Sequence, residues 1–288
     1  MDYSDYYSDY FFVDDHSSSS IGLRPYKHRP LDKSKTEFRL LRIEISNKTS
    51  SGVVLALEHA YLANDPNFYA LSYCWGNEPI LYEVAVHDGS SWGYIHVRQN
   101  LHDFLQAARS WQHEWLQEWI WIDQICIDQS DPQERGHQVG LMGDLYSQAK
   151  ATLIWPGALR YYPELEPSVH KDTAQDVLSF GGTRDIMQDI VRSPREKSIY
   201  KQAPDSTRNF SNREVEMLVS SQYWTRTWIV QEVLLSSQAF VLVRNEIWNL
   251  RDLHVIVYEF SKALESRRVS RDLIDSAAQL MKICDIWS

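Results

Sequence analysis

The sequence contains few of the features that mark disulfide frameworks, membrane spans or metal sites. Only three of its 288 residues are cysteines, so no disulfide framework is predicted. No apolar run approaches the roughly 20 residues of a transmembrane helix, and no basic segment followed by an apolar one marks a secretory signal. The ten histidines show no paired ligand spacing, so no metal site is expected. These absences favour a reducing compartment and predict a cytoplasmic protein without a membrane span.

Motifs for phosphate groups and nucleic acids are also missing. Neither a Walker loop nor a G-x-G-x-x-G sequence occurs, and these are the usual phosphate-binding turns. Acidic residues outnumber basic ones by 39 to 29, which gives a net charge of −10. This balance argues against nucleic-acid binding, which needs a basic surface to displace counterions.

Half of that net charge lies at the N-terminus. Residues 1–20 contain five aspartates, no Lys or Arg, and mostly Ser and Tyr otherwise. A segment of this composition cannot bury enough apolar surface to offset the entropy of folding. Residues 1–35 are therefore predicted to form a disordered acidic tail, and residues 36–288 a folded domain.

The rest of the chain has the composition of a globular core. Hydrophobic residues make up 43% of the sequence, with 11 tryptophans. Residues 38–45 and 53–57 have the pattern of strands. Residues 68–75 form a near-continuous apolar run, which is typical of a strand buried on both faces. Asn100 precedes a helical apolar pattern and is predicted to be its N-cap.

The clearest unit is a strand, a helix and a second strand. The strands are predicted at residues 119–122 and 151–155. Between them, Asp131 has the position of an N-cap, Pro132 that of the first helical residue, and Glu134 that of the partner in a capping box. Such a unit normally implies a parallel sheet. The sequence thus predicts an α/β fold with a mostly parallel sheet flanked by helices.

The second half of the chain is less regular. Prolines, a Gly-Gly pair and scattered basic residues indicate an insertion over about 158–212. Residues 223–233 are predicted to form a helix packed by its aromatic side chains, and residues 239–243 a strand. A helical extension is expected over about 250–288.

Glu232 is the first candidate for chemistry. It follows Trp228 by four residues, so the two side chains share a face if the segment is helical. A carboxylate beside an indole ring suits the stabilisation of a developing cation or the binding of hydroxyl groups. The same pattern also fits a structural glutamate that pairs with Arg226 or a backbone donor.

Further candidates lie at the ends of predicted strands. Asp123 and Asp128 flank a loop at the carboxyl end of a strand, where α/β sheets bind ligands, although such carboxylates also cap turns. Trp75 precedes Gly76 at a strand end and could stack on a planar ligand. Cys126 fits a buried small residue better than a nucleophile, and the other tryptophans are expected mostly in the core.

Three blocks of the sequence together resemble the fungal heterokaryon-incompatibility (HET) domain. The resemblance extends over about residues 36–250, and two small departures are Asp128, where the family usually has Asn, and Pro156, where it usually has Leu. The blocks are residues 69–76 (YALSYCWG), residues 121–157 beginning WIDQICIDQ and ending WPG, and residues 223–232 (YWTRTWIVQE).

The HET domain is in turn similar to TIR domains, and this similarity implies a flavodoxin-like, TIR-like fold with added N-terminal strands. In enzymatic TIR domains, a glutamate in a Trp-x-x-x-Glu helix is required to cleave NAD+ at the nicotinamide–ribose bond. The resemblance places that role on Glu232, with NAD+ as substrate and no separate cofactor. The residues expected to bind NAD+ or a related nucleotide are Tyr73, Trp75, Gly76, Asn77, Asp123, Arg226 and Trp228.

The resemblance implies a role in regulated cell death after non-self recognition, with assembly into a homo-oligomer on activation. The alternative to an NAD+ glycohydrolase is a non-enzymatic adaptor that signals death through self-association. In that case the same blocks would be core and interface, with tryptophans as interface anchors.

Overall fold

A computed structural model describes residues 23–47, 49, 51–77, 82–111, 113–158, 212–243, 246–250, 253, 257 and 271–287. Most of the predicted acidic tail, residues 1–22, lies outside these ranges, as does the predicted insertion from residue 159 to 211. Within the described ranges, no helix is long and apolar enough to cross a bilayer.

Strands and helices alternate along the described chain. The strands are β1 (Glu37–Ile45), β2 (Val53–Tyr61), β3 (Phe68–Tyr73), β4 (Tyr82–His87), β5 (Trp92–Val97), β6 (Trp119–Trp121), β7 (Thr152–Trp155), β8 (Ala239–Val243) and β9 (Glu246–Asn249). The α-helices with described bounds are α1 (Gln99–Ser110), α2 (Asp123–Cys126), α3 (Pro132–Gln148), α4 (Asn212–Val219), α5 (Ile229–Leu234) and α6 (Arg271–Trp287).

The described strands form one sheet in the order β5-β4-β2-β1-β6-β3-β7-β8-β9. The four strands β6, β3, β7 and β8 are neighbours and pair in parallel, which confirms the α/β prediction. The sheet as a whole is evenly mixed. A fourth parallel pair joins β2 and β4, whereas β1 pairs antiparallel with both β2 and β6, and the hairpins β4–β5 and β8–β9 are antiparallel.

Apolar side chains cover both faces of the sheet. Successive residues of a strand point to opposite faces, and along β8 they alternate between two core clusters. Phe240 and Leu242 belong to the larger cluster, whereas Ala239, Val241 and Val243 belong to the smaller one. Burying each large apolar side chain contributes about 1.5–3 kcal/mol, so the sheet is stabilised from both sides.

The start of α3 follows the prediction only in part. Asp131 is the N-cap and accepts a hydrogen bond from the Gln133 backbone N–H at 2.8 Å, and Pro132 is the first helical residue. Glu134 does not close a capping box. Its carboxylate instead pairs with the buried Arg39 at 2.6 Å and accepts the Asp128 backbone N–H at 2.7 Å.

Part of the predicted tail belongs to the folded domain. Leu31 is buried, Pro25 forms a β-bridge with Tyr94, and the Arg29 carbonyl accepts a hydrogen bond from Arg39. Residues 23–35 therefore pack against the sheet, so the domain begins before residue 36.

Two local predictions are wrong. Residues 223–233 do not form one helix: a 3-10 helix (Gln222–Thr225) ends before Arg226, and α5 starts three residues later. Thr225 and Thr227 are β-branched and favour helices poorly, which is consistent with this break. Asn100 is not an N-cap, because α1 starts at Gln99 with Arg98 as its N-cap.

Candidate functional site

A cavity of about 430 Å³ opens at the carboxyl ends of β3 and β6. In the sheet, β3 lies between β6 on one side and β7 on the other. Ligands of α/β sheets bind at the carboxyl ends of the strands, and this volume is that of a small-molecule site. The lining residues are Cys74, Trp75, Gly76, Asn77, Asp123, Val139, Met142, Gln222, Arg226, Trp228 and Glu232.

Glu232 projects from α5 into the wall of this cavity and is only 2% exposed. Its carboxylate forms a bidentate ion pair with the Arg226 guanidinium, with N–O distances of 2.9 and 3.1 Å. Ser72, on β3, donates a further hydrogen bond to Oε2. The break before α5 allows this geometry, since it turns the Arg226 side chain back toward the helix.

Further buried polar groups, which do not line the cavity, hold Glu232 in place. The Tyr223 hydroxyl lies 2.6 Å from Ser72 Oγ, and both residues are buried. Thr152 Oγ1 donates to the Glu232 carbonyl at 3.0 Å. Both the backbone and the carboxylate of Glu232 are thus held by strands of the parallel sheet or by groups bonded to them.

Asp123 supplies the second carboxylate of the cavity. It accepts hydrogen bonds from the Trp75 indole N–H at 2.8 Å and from the Gln124 backbone N–H at 2.7 Å. Burial raises the pKa of Asp123 to about 6, and repulsion by Glu232 adds to this effect against the opposing influence of Trp75, Gln124 and Arg226. Asp123 therefore gains a proton slightly below neutral pH.

Arg226 balances only part of the negative charge in the cavity. Burial opposes the charge on its guanidinium, but the attraction and hydrogen bonds of Glu232 outweigh that effect and raise the pKa of Arg226. With both carboxylates ionised, these three side chains carry a net charge of −1. A ligand with a positive centre therefore suits the cavity better than a purely anionic one.

The loop after β3 forms another wall. Gly76 has φ +72°, a conformation that residues with a side chain rarely adopt. Its carbonyl accepts a hydrogen bond from Arg98 at 2.8 Å. Asn100 fastens the same loop, since its amide donates to the Cys74 carbonyl at 2.7 Å and its oxygen accepts from the Trp155 indole at 2.9 Å.

Seven of the eight residues predicted for the site line this one cavity; Tyr73 is the exception. Tyr73 is buried behind the wall and donates to Gln124 Oε1 at 3.0 Å. Four lining residues were not predicted from sequence, namely Cys74, Val139, Met142 and Gln222. Val139 and Met142 recur at helical spacing in the sequence, which indicates an apolar helix face and not a position beside a cavity.

Trp228 differs from the other predicted core tryptophans. It is 52% exposed, whereas Trp121, Trp155 and Trp224 are buried. The reason is that Trp228 is the N-cap residue of α5 and lies at the mouth of the cavity. The indole is thus available to a ligand or to another protein.

Two other candidates are structural. Asp128 lies outside the cavity lining and accepts the Ser130 backbone N–H at 2.9 Å, as a turn cap does. Cys126 is fully buried, and burial raises the pKa of its thiol to about 12, so it is not a ready nucleophile. Among the described residues, no group of three or more His, Cys, Asp or Glu side chains could hold a metal ion.

Comparison with known proteins gives one family and one curated relative. The family model for "Heterokaryon incompatibility protein (HET)" matches residues 68–232. "Heterokaryon incompatibility protein 6, OR allele" from Neurospora crassa is 30% identical over 145 residues, which cover 48% of this chain and 21% of that protein. The chain thus matches about a fifth of the relative's length. No solved structure matches it.

Proposed function

Because the chain belongs to the heterokaryon incompatibility (HET) family, we propose that it is the effector domain of an incompatibility-type cell-death response and cleaves NAD+ at the nicotinamide–ribose bond. The observation that carries this proposal is the buried carboxylate of Glu232 in the wall of a cavity at the carboxyl ends of parallel strands.

The proposed reaction needs one well-placed carboxylate. The bond between the ribose C1′ and the pyridinium nitrogen breaks, and its electron pair leaves with nicotinamide, which becomes neutral without a general acid. An oxocarbenium-like centre develops on the ribose, and the fixed negative charge of Glu232 stabilises it. Water then adds to C1′ and releases a proton, which gives ADP-ribose.

Arg226 has a role in making Glu232 available. Both oxygens of the carboxylate are bonded to the guanidinium in the described conformation. The pyrophosphate of the dinucleotide competes with the carboxylate for this arginine, because it offers several anionic oxygens to the planar guanidinium. We propose that Arg226 turns to the pyrophosphate and frees Glu232 Oε1 for the ribose hydroxyls.

The aromatic residues and Asp123 are proposed to bind the nicotinamide ring of the substrate. Trp75 and Trp228 both line the cavity, and an indole ring attracts a cationic ring such as nicotinamide. Asp123, ionised above about pH 6, adds to that attraction. These contacts favour the oxidised, positively charged dinucleotide over its neutral reduced form.

Glu232→Gln is the direct test of the proposal. We expect NAD+ cleavage to fall at least about 100-fold, since removing a group that stabilises transition-state charge has effects of this order. Nicotinamide release from the concentrated domain would be followed by chromatography, together with circular dichroism to verify folding. The matched control is Asp144→Asn on the exposed side of α3, which should retain wild-type activity. Full activity in Glu232→Gln would refute the proposed role of this residue.

A second candidate function is supported by exposed apolar side chains beside the cavity. Val139, Trp228 and Leu235 are 42%, 52% and 46% exposed, and such side chains suit a death-signalling adaptor that acts by self-association. A folded Glu232→Gln protein that self-associates and still kills cells would favour this adaptor over the enzyme.

A further inference from the structure

Two buried hydroxyl groups connect Glu232 to the core, and neither lines the cavity. Ser72 is 1% exposed and Tyr223 is fully buried. Ser72 lies on β3, and Tyr223 lies in the 3-10 helix before the break. The contact between them links parts of the chain that are 151 residues apart, and Glu232 is 160 residues from Ser72.

The direction of these hydrogen bonds follows from counting protons. An ionised carboxylate only accepts, and a serine hydroxyl has a single proton to donate. Because Ser72 donates to Glu232 Oε2, its oxygen must accept from Tyr223. Burial, and then the nearby Glu232 carboxylate, raise the pKa of Tyr223, so its hydroxyl keeps the proton that it donates. Tyr223 thus donates to Ser72, Ser72 donates to Glu232, and the carboxylate accepts at the end of the chain.

We propose that Ser72 and Tyr223 are positioning residues that keep the Glu232 carboxylate aimed into the cavity while the substrate draws Arg226 away. The proposal deepens the proposed NAD+ cleavage and rests on it. Once Arg226 turns to the pyrophosphate, Ser72 is, among the residues that the structure describes, the side chain that stays bonded to the carboxylate. Without that donor the carboxylate can rotate away from the ribose.

Tyr146 offers a matched control for the loss of a buried hydroxyl. It is buried in the same domain, and its hydroxyl donates to the Leu71 carbonyl at 3.2 Å, a backbone group rather than Glu232. Both Tyr146→Phe and Tyr223→Phe remove one oxygen and leave the ring packing intact. Any difference between their effects on catalysis therefore reports on the chain to Glu232.

The experiment compares Tyr223→Phe, Ser72→Ala and Tyr146→Phe in NAD+ cleavage. For the first two variants we expect kcat to fall about tenfold or more, since small misplacements of a reacting group have effects of this size, with KM within about twofold of wild type. Tyr146→Phe should keep both constants within about twofold. Unchanged kcat in Tyr223→Phe, or an equal loss in Tyr146→Phe, would overturn the proposal.

A second measurement does not depend on turnover. If the wild type does not cleave NAD+, the proposed function fails. The positioning role is then tested by nuclear magnetic resonance of the Arg226 guanidinium protons. Their exchange with water should be faster in Tyr223→Phe than in wild type or Tyr146→Phe, because a less fixed carboxylate pairs less firmly with Arg226. Equal exchange in the two phenylalanine variants would reject the role.

Discussion

Asp123 and Glu232 place two carboxylates in one cavity but in different surroundings. Glu232 is bonded to a guanidinium and a hydroxyl, whereas Asp123 is bonded to an indole N–H and a backbone N–H. The weaker neutral donors do not offset the burial of Asp123 and its repulsion by Glu232, so its pKa is raised to about 6. As pH falls, we therefore expect Asp123 to lose its charge near pH 6 while Arg226 remains charged.

This raised pKa predicts how Asp123→Asn changes the pH dependence of stability. An aspartate has a pKa of about 3.9 in the unfolded chain, so the folded state binds the proton more tightly. The resulting stabilisation is complete below about pH 4 and is lost as pH rises through about 6. Asn cannot ionise, so relative to wild type the free energy of unfolding of the variant should rise by about 2 kcal/mol from pH 4.5 to 7.5.

Urea denaturation at several pH values measures this difference, and Asp128→Asn is the control. Partial burial opposes ionisation of Asp128, but hydrogen bonds from Ser130 lower its pKa. Its titration therefore lies below about pH 4, and the difference between Asp128→Asn and wild type should be flat over the same range. A flat difference for Asp123→Asn as well would contradict the raised pKa.

At the residue scale, the sequence predicts several residues that line the cavity but not the buried hydroxyl groups that hold Glu232. Trp75, Asp123 and Glu232 each carry a local signal, such as a strand end or a Trp-x-x-x-Glu spacing. Ser72 and Tyr223 carry none, because their contact joins residues 151 positions apart. Only the packing of the 3-10 helix on β3 brings these hydroxyls together.

At the element scale, a buried ion pair fixes the end of α2, the short helix that starts with Asp123, and the loop that follows it. Arg39, on β1, binds Glu134 of α3 and also donates to the Cys126 carbonyl at 2.9 Å. Glu134 in turn accepts the backbone N–H of Asp128. The pair thus joins β1, the loop after β6 and the first turn of α3 at one buried point.

Arg39→Met is expected to destabilise the domain by about 3–5 kcal/mol, because it leaves the Glu134 carboxylate buried without its partner. Lys33→Met tests a comparable but exposed pair, Lys33 with Asp131 at 3.2 Å, and should cost less than about 1 kcal/mol. Urea denaturation of both variants at pH 7 gives the two values. Equal small losses would show that the Arg39 pair does not hold this loop.

The elements that sequence predicted well are those with a strong apolar pattern. The central parallel strands were found because each is a short, nearly continuous apolar run. The strands β4, β5 and β9 were not predicted; Glu83, His87 and His96 interrupt the apolar pattern of the first two, and these strands lie toward the edges of the sheet. The helix over 223–233 was overpredicted, since an aromatic repeat does not distinguish one helix from two short ones.

At the scale of the whole molecule, three of the exposed large apolar side chains lie on α3 and around α5, two helices that contact each other. Val139 and Trp228 border the cavity, and Leu235 follows α5. If the domain self-associates on activation, this surface is where we expect the contact, because a second copy packed there would remove several neighbouring apolar side chains from water.

Leu235→Asp should weaken that self-association at least about tenfold, since a charge in an apolar contact is strongly unfavourable. Ile45→Asp is the control, because Ile45 is also exposed, at 56%, but lies at the end of β1. Sedimentation velocity over a range of concentrations distinguishes the two variants. The surface would be wrongly assigned if Ile45→Asp dissociated the assembly and Leu235→Asp did not.

The strand order also determines how large an independently folding unit must be. The family match covers residues 68–232, yet β1 lies outside it and pairs with β6 in the middle of the sheet, while β8 lies outside it and pairs with β7. A fragment cut at the limits of the match would expose two edges of a parallel sheet that the whole domain buries. Exposed parallel edges promote aggregation, so the smallest soluble fragment should begin near residue 23 and continue beyond β8.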